Sequence, residues 1–273
     1  MIDPIHCRDA NERRQASVIA DLADEHARIG AGVMSFTPDT KWICKAVGVD
    51  LDAPLDKETA DAVVAWFRER GVPPVLELTS LSHEDTFEIA AEAGFDLVQV
   101  ENVLAVVPES VREDVLEMEP PPGVELRRLD TADDAEVRRY AEIVTSGFVP
   151  PGSPLPEGMV ESGIRSQHMA TSAGWLACDM AGEPIAAAGS EVVDVGEGEG
   201  AQRLLALCGT TVLPAHRRRG LQRNLMARRL AMGVERGCTM ALVESKPGIA
   251  TERNAARLGF ELAYTRLVLR APA

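Results

Sequence analysis

The sequence predicts an α/β (α+β) protein built as two tandem domains. Three observations predict it. Strand-like and helix-like apolar patterns alternate along the 273 residues. Glu117–Gly123, with three consecutive prolines, interrupts them; such a run cannot continue a helix and favours extended geometry. The segments on either side of it then share one order of elements. The resulting division is a first domain over 1–116, a Pro-rich linker over 117–123 and a second domain over 124–273.

The elements follow in order. Val18, Ile19, Leu22 and Ile29 share one side of a first helix over 11–30. Lys41–Val49 reads as a strand and Asp50–Asp56 as an acidic turn. Lys57–Arg70 carries Ala62, Val63, Trp66 and Phe67 as a helical apolar face, ended by Gly71. A short strand over 75–78, a helix over 84–93 ended by Gly94, and a strand over 96–107 complete the first domain.

The second domain begins with a strand over 124–129 and a helix over about 132–145, with Asp133 and Asp134 where a helix start favours negative charge. A Pro-rich loop, Gly147–Gly158, precedes a helix over 159–169. Residues 174–180 and 183–193 form a hairpin turned at Ala181-Gly182, followed by an acidic loop over 196–200. Then come a strand over 203–213, a basic turn, a helix over 221–236 ended by Gly237, a strand over 240–243, a helix over 251–258 and, over 261–269, a final strand pair or one bent strand.

An internal repeat underlies this order. Glu69-Arg70-Gly71 matches Glu235-Arg236-Gly237, and Leu76 matches Leu242. After a one-residue gap Thr86, Ala90, Ala91, Gly94, Phe95, Leu97, Val103 and Leu104 match Thr251, Ala255, Ala256, Gly259, Phe260, Leu262, Val268 and Leu269. Helix-Gly, strand, helix, Gly-Phe, strand occurs twice, which predicts duplication.

The basic turn carries most of the chemistry. An apolar strand ends at Pro214, three arginines and Gly220 follow, and Leu221, Leu225, Met226, Arg229 and Leu230 then fall at helical spacing. Amides at a helix start lack intrahelical partners and carry partial positive charge, glycine admits close approach, and guanidinium groups match phosphate oxygens. This turn is an anion site in prospect.

Val212-Leu213-Pro214, then Arg217-x-x-Gly220, then Leu225, resembles the acetyl-coenzyme A loop of the GCN5-related N-acetyltransferases (GNAT). The family pattern ends in Gly or Ala where this chain has Gln222. The resemblance covers about 123–273 and extends more weakly to 60–106. It implies two tandem GNAT-like domains, each a mixed, mostly antiparallel sheet flanked by helices. It also implies that Arg217, Arg218, Arg219, Gly220, Leu221 and Gln222 hold the pyrophosphate of acetyl-CoA. Thr210, Thr211 and Val212 would pair with pantetheine, and Asn254 and Arg253 could touch the coenzyme. Where the turn should recur in the first copy stand Asp50, Asp52, Pro54 and Asp56, which would repel a pyrophosphate and remove an amide donor. The first copy is thus expected to be degenerate.

The reaction so implied is direct acetyl transfer to a primary amine of a small molecule, amino acid or peptide. Glu244 is the candidate base. The usual family tyrosine is Ala255 here, so the chain either lacks the usual acid or supplies it differently, with Tyr264 and Ser245 as the nearby hydroxyl candidates. Cys208 reads as a small buried residue. The alternative is a non-catalytic acyl-CoA-binding or sensor protein.

Charge and composition narrow the partners. Residues 203–273 carry thirteen Lys and Arg against four Asp and Glu, a net of +9, whereas 1–202 carries −24. An acidic body disfavours nucleic acid, while a local basic region suits a small polyanion. The five cysteines and five histidines stand singly, so neither a disulfide framework nor a metal is expected. There is no membrane-length apolar run and no signal-like start, which makes the cytoplasm the expected location. The duplication makes a monomer with pseudo-dimeric domains, or else a homodimer, the expected state.

Overall fold

The computed structural model describes residues 2–38, 40–196 and 201–273. The predicted acidic loop at 196–200 lies almost entirely outside the described residues. By internal contacts the chain forms two compact units. The first comprises 1–103, 245–247 and 262–273; the second comprises 104–244 and 248–261. The Pro-rich stretch therefore lies within the second unit, and the last strand belongs to the first.

In the first unit, α1 (Pro4–Leu22) begins earlier than the apolar spacing indicated, because Asp3 accepts from the Ile5 and His6 amides and Pro4 takes the first helical position. It also stops earlier. Residues 25–36, expected to be partly helical, form a hairpin of β1 (Glu25–Ile29) and β2 (Gly32–Phe36). The expected strand over 41–49 shrinks to β3 (Lys45–Val47). α2 (Lys57–Glu69), β4 (Val75–Thr79), α3 (Glu84–Glu92) and β5 (Asp96–Val106) follow as expected. The sheet runs β1-β2-β3-β4, then the C-terminal strand β11 (Glu261–Arg270), antiparallel to β4 from Arg266↔Thr79 to Arg270↔Val75, then the start of β5.

The apolar core of this unit lies under α2 and α3, with Phe67, Leu76, Leu78 and Leu269 at its centre. The contacts of α1 are partly polar. Glu12 and Arg266, 2% and 1% exposed, pair at 2.7 Å. Glu77 accepts from Gln15 at 2.7 Å and from Lys45 at 2.8 Å. Such a layer stays folded because each charge has a charged or hydrogen-bonding partner.

The second unit holds a short helix α4 (Glu113–Leu116), β6 (Val124–Arg128), α5 (Asp134–Ser146), α6 (Glu157–Gln167), β7 (Trp175–Asp179), β8 (Pro184–Val195), β9 (Gln202–Val212), α7 (Leu221–Glu235), β10 (Met240–Ser245) and α8 (Ala250–Arg257). Its sheet runs β6-β7-β8-β9-β10, antiparallel except for the parallel pair β9/β10. The helices α5 and α6 cover one face through Val137, Ile143 and Val160, while α7 covers the other through Leu225, Met226 and Leu230. Among the described residues no helix is long and apolar enough to cross a membrane.

The repeat is visible in the backbone. Gly71 and Gly237 both end their helices at positive φ, +67° and +65°, and Gly94 and Gly259 do so at +88° and +94°. The amides of Phe95 and Phe260 both return to the fifth residue back, Ala90 and Ala255, at 3.0 and 3.1 Å. A left-handed helix cap is the reason for glycine at each position.

Glu12→Ala would leave the buried Arg266 without its closest counter-charge. The expected cost is about 3–5 kcal/mol, read as a lower midpoint in urea denaturation. An unchanged midpoint would mean the pair contributes nothing.

Candidate active site

The site forms where β9 leaves its neighbours. The parallel ladder between β9 and β10 runs from Met240↔Leu204 to Val243↔Leu207 and ends there, although β9 continues for five residues. On its other side, β9 pairs Cys208 with Gly189 and Thr211 with Ala187. Two residues of β9, Gly209 and Thr210, therefore oppose the single residue Ala188. This is a β-bulge, and Gly209 adopts φ +53°, the left-handed region open to glycine. A bulge bends its strand, and here it turns the end of β9 at the point where the β10 ladder stops. The two parallel strands so form a fork.

The bulge is held from α7. The guanidinium of Arg229, 0% exposed, donates to the Gly189 carbonyl at 2.6 Å and the Cys208 carbonyl at 3.2 Å. It also donates to Thr210 Oγ1 at 2.7 Å and, within its own helix, to the Leu225 carbonyl at 3.0 Å. Burial pulls its pKa down to about 10, so it stays charged at neutral pH. On the other face, Thr211 Oγ1 donates to the Val144 carbonyl at 3.0 Å, and a Cβ on Gly147 would stand 2.1 Å from that hydroxyl. A Cβ on Gly189 would likewise stand 2.6 Å from the buried Tyr140 hydroxyl. Burial raises the Tyr140 phenol well above its usual range.

One step past the last ladder pair stand Glu244 on β10 and Cys208 on β9. Leu207 and Val243 pack towards α7, so these two next residues project to the α5 side. Glu244 is half-buried. Cys208 is exposed, not buried as the sequence suggested, because β10 no longer covers its strand. Tyr264 belongs to the first unit. Its buried hydroxyl donates to Glu12 at 2.6 Å and accepts from Asn11 at 2.8 Å, and burial raises its pKa. Ser245 Oγ donates to the Lys246 carbonyl at 3.1 Å.

Beyond Val212 a single 3₁₀ turn (Pro214–His216) leads into the arginines. Arg217 Nε donates to the Val212 carbonyl at 3.1 Å, and Arg219 to the Pro122 carbonyl at 3.2 Å. Arg218 has φ +64°, an uncommon state for a side-chain-bearing residue, and Gly220 has φ +83°. Gly220 caps α7 with no side-chain bond, and among the described residues nothing lies within 4 Å of where its Cβ would be. The helix start is thus open. Its counterpart in the first unit is closed, since Asp56 accepts from the Thr59 amide at 2.7 Å. That bond holds the Asp56 carboxyl below its ordinary pKa.

Gln222, the departure from the family pattern, does not obstruct the opening. Its side chain turns to α8, donating to Thr251 at 2.9 Å and accepting from Asn254 at 2.8 Å. Asn254 is therefore tied to Gln222. The Pro-rich stretch is fastened to α7 by Asn224, which donates to the carbonyls of Met118 and Glu119. Among the described residues no group of three or more His, Cys, Asp or Glu could hold a metal.

This fork with an open helix start beyond it coincides with a family match: residues 140–260 match the acetyltransferase (GNAT) family. That segment is similar to the family's acetyltransferase domain. The fold extends the likeness to nearly the whole chain. A GCN5-related N-acetyltransferase from Kribbella flavida superposes with a TM-score of 0.67 at 19% identity, over 96% of each chain. A tandem GNAT protein from the clavulanic acid biosynthesis pathway superposes at 0.57 and 14% identity, over 80% of this chain and 69% of that one. A GCN5-related N-acetyltransferase from Sphaerobacter thermophilus gives 0.55 at 15% identity, over 84% and 73%. At these identities the structures share the fold alone. No curated protein matches the sequence. The GNAT family supports an acyltransferase that uses acetyl-CoA, and the open cradle at Gly220 and the fork fit such a donor.

The sequence pointed to the arginine turn but not to Arg229, Gly209, Gly189 and Tyr140, which the structure gathers around the bulge of β9. The one signal was an arginine within the apolar stripe of α7. Gly209→Ala would force a side chain into left-handed backbone 3.0 Å from Val144. The expected loss is about 1–2 kcal/mol, seen as a lower thermal midpoint; an unchanged midpoint would remove the strain argument.

Proposed function

We propose that the protein is an acetyl-CoA-dependent N-acetyltransferase acting on a primary amine of a small molecule, amino acid or peptide. The observation that carries this reading is the uncapped start of α7 directly beyond an open strand edge. In this reading the amides from Arg217 to Gln222 and the guanidinium groups of Arg217, Arg218 and Arg219 take the pyrophosphate. The edge at Thr210, Thr211 and Val212 takes the pantetheine arm, and Asn254 supports the cradle through Gln222. The amine nitrogen attacks the thioester carbonyl, the C–N bond forms and the C–S bond breaks. Glu244, on the side facing α5, accepts the proton the amine loses, and the departing thiolate takes up a proton from solvent.

Tyr264, already engaged by Glu12 and Asn11, is the less favoured acid. The first unit is read as a copy that no longer binds the coenzyme, in line with the aspartate cap on α2. The catalytic domain is taken to span 124–273. A cytoplasmic protein, monomeric or homodimeric, completes the proposal.

Calorimetric titration with acetyl-CoA tests it, comparing the native chain with Arg217→Glu/Arg219→Glu. The expected result is micromolar binding, weakened in the variant by about a hundredfold, as for two lost charge-assisted contacts. Glu244→Gln should then keep binding and lose about 10²–10⁴ in turnover. Binding without turnover across a panel of amines would favour the non-catalytic sensor. No binding by the native chain would overturn the proposal.

A further inference from the structure

We propose that Arg229 is the positioning residue of the fork: its guanidinium, rather than the β8–β9 ladder, fixes where the edge of β9 stands for the arm of the acyl donor. This rests on the acetyl-CoA reading above and deepens it.

The bulge breaks the ladder between the pairs Gly189↔Cys208 and Ala187↔Thr211. Carbonyl groups at a bulge lose regular partners, and buried ones are costly unless another donor reaches them. One planar group meets this need on both strands at once, with Nη1 on Gly189 and Cys208 and Nη2 on Thr210. Among the described residues all its hydrogen-bond partners are neutral acceptors, so the charge serves geometry. A lysine could not copy it, since its donors radiate from one nitrogen, whereas guanidinium donors are spread over a rigid fork.

The helix that carries Arg229 also carries the anion cradle. Arg229 stands nine residues after Gly220, which at the helical rise is about 13 Å along α7. The same rigid rod thus fixes both the phosphate end and the strand-edge end of the donor site. Shifting the bulge would leave the cradle intact and misplace the edge.

The test compares two probes, acetyl-CoA and the 3′-phosphorylated ADP that forms its nucleotide half, by calorimetry. The native chain should bind acetyl-CoA more tightly than the nucleotide. In Arg229→Lys the nucleotide affinity should stay within about threefold, because the cradle is untouched, while acetyl-CoA weakens about tenfold, as for one or two lost hydrogen bonds. The preference for the acylated arm then collapses. Parallel weakening of both probes would mark a general structural role and overturn the inference, as would an unchanged preference. Should Arg229→Lys fail to fold, Thr210→Val carries the test. It keeps the guanidinium and removes one acceptor, with an expected loss of about fivefold for acetyl-CoA alone; an unchanged preference there also overturns the inference. If the native chain binds neither probe, the acetyl-CoA reading falls first and this one with it.

Discussion

A charged group buried among carbonyls is an unusual anchor for a strand, and the second unit depends on one. Taking a guanidinium out of water is costly, and the structure offsets that cost with four hydrogen bonds from Arg229. Two of these go to carbonyls on different strands, so the arginine secures the bulge as the bulge satisfies the arginine. Everything downstream takes its direction from that joint. β9 bends away from β10, Cys208 and Glu244 become the first residues past the ladder, and the 3₁₀ turn delivers the chain to the start of α7.

The two helix starts at equivalent places in the repeat show how one scaffold can keep a site in one copy and close it in the other. α7 begins at a glycine, which brings no side chain to cap its first amides. α2 begins at Asp56, whose carboxylate already accepts the Thr59 amide. A carboxylate in that position supplies the negative charge a ligand would otherwise bring. It also repels a second anion. The difference between an open and a closed copy is therefore a matter of cap chemistry, with helix, strand and glycine-ended turn retained in both.

Much of the architecture was legible because it follows from local rules. Glycines at Gly71, Gly94, Gly237 and Gly259 mark helix ends in the sequence and carry positive φ in the structure. Ala181-Gly182 turns the β7–β8 hairpin as expected, with Gly182 at φ +83° and Asp179 accepting from the Ala181 and Glu183 amides. The arginine turn was legible for the same reason, as it is contiguous. The N-terminal hairpin was not. Ile29 continued a helical spacing by coincidence, while the turn at Gly30–Gly32 decided the outcome. The Arg229 joint was hidden for another reason. An arginine in an apolar stripe states that something polar lies opposite it, but the partners are backbone carbonyls, and a sequence does not spell out carbonyls. Gln222 shows the converse, a departure from pattern whose side chain is drawn off by Thr251 and Asn254 on another helix.

The last strand has a consequence for how the chain is made. β11 ends the second sequence copy, yet it pairs with β4 inside the first unit. On the ribosome, the first unit therefore cannot finish when its own hundred or so residues have emerged. It must wait, with one edge of β4 lacking its neighbour, until β11 has left the exit tunnel. Contacts so distant in sequence slow folding and expose strand edges meanwhile. Cutting the chain at its prolines would give two fragments that each look like a domain by sequence, one of them missing a strand and the other carrying one it cannot place.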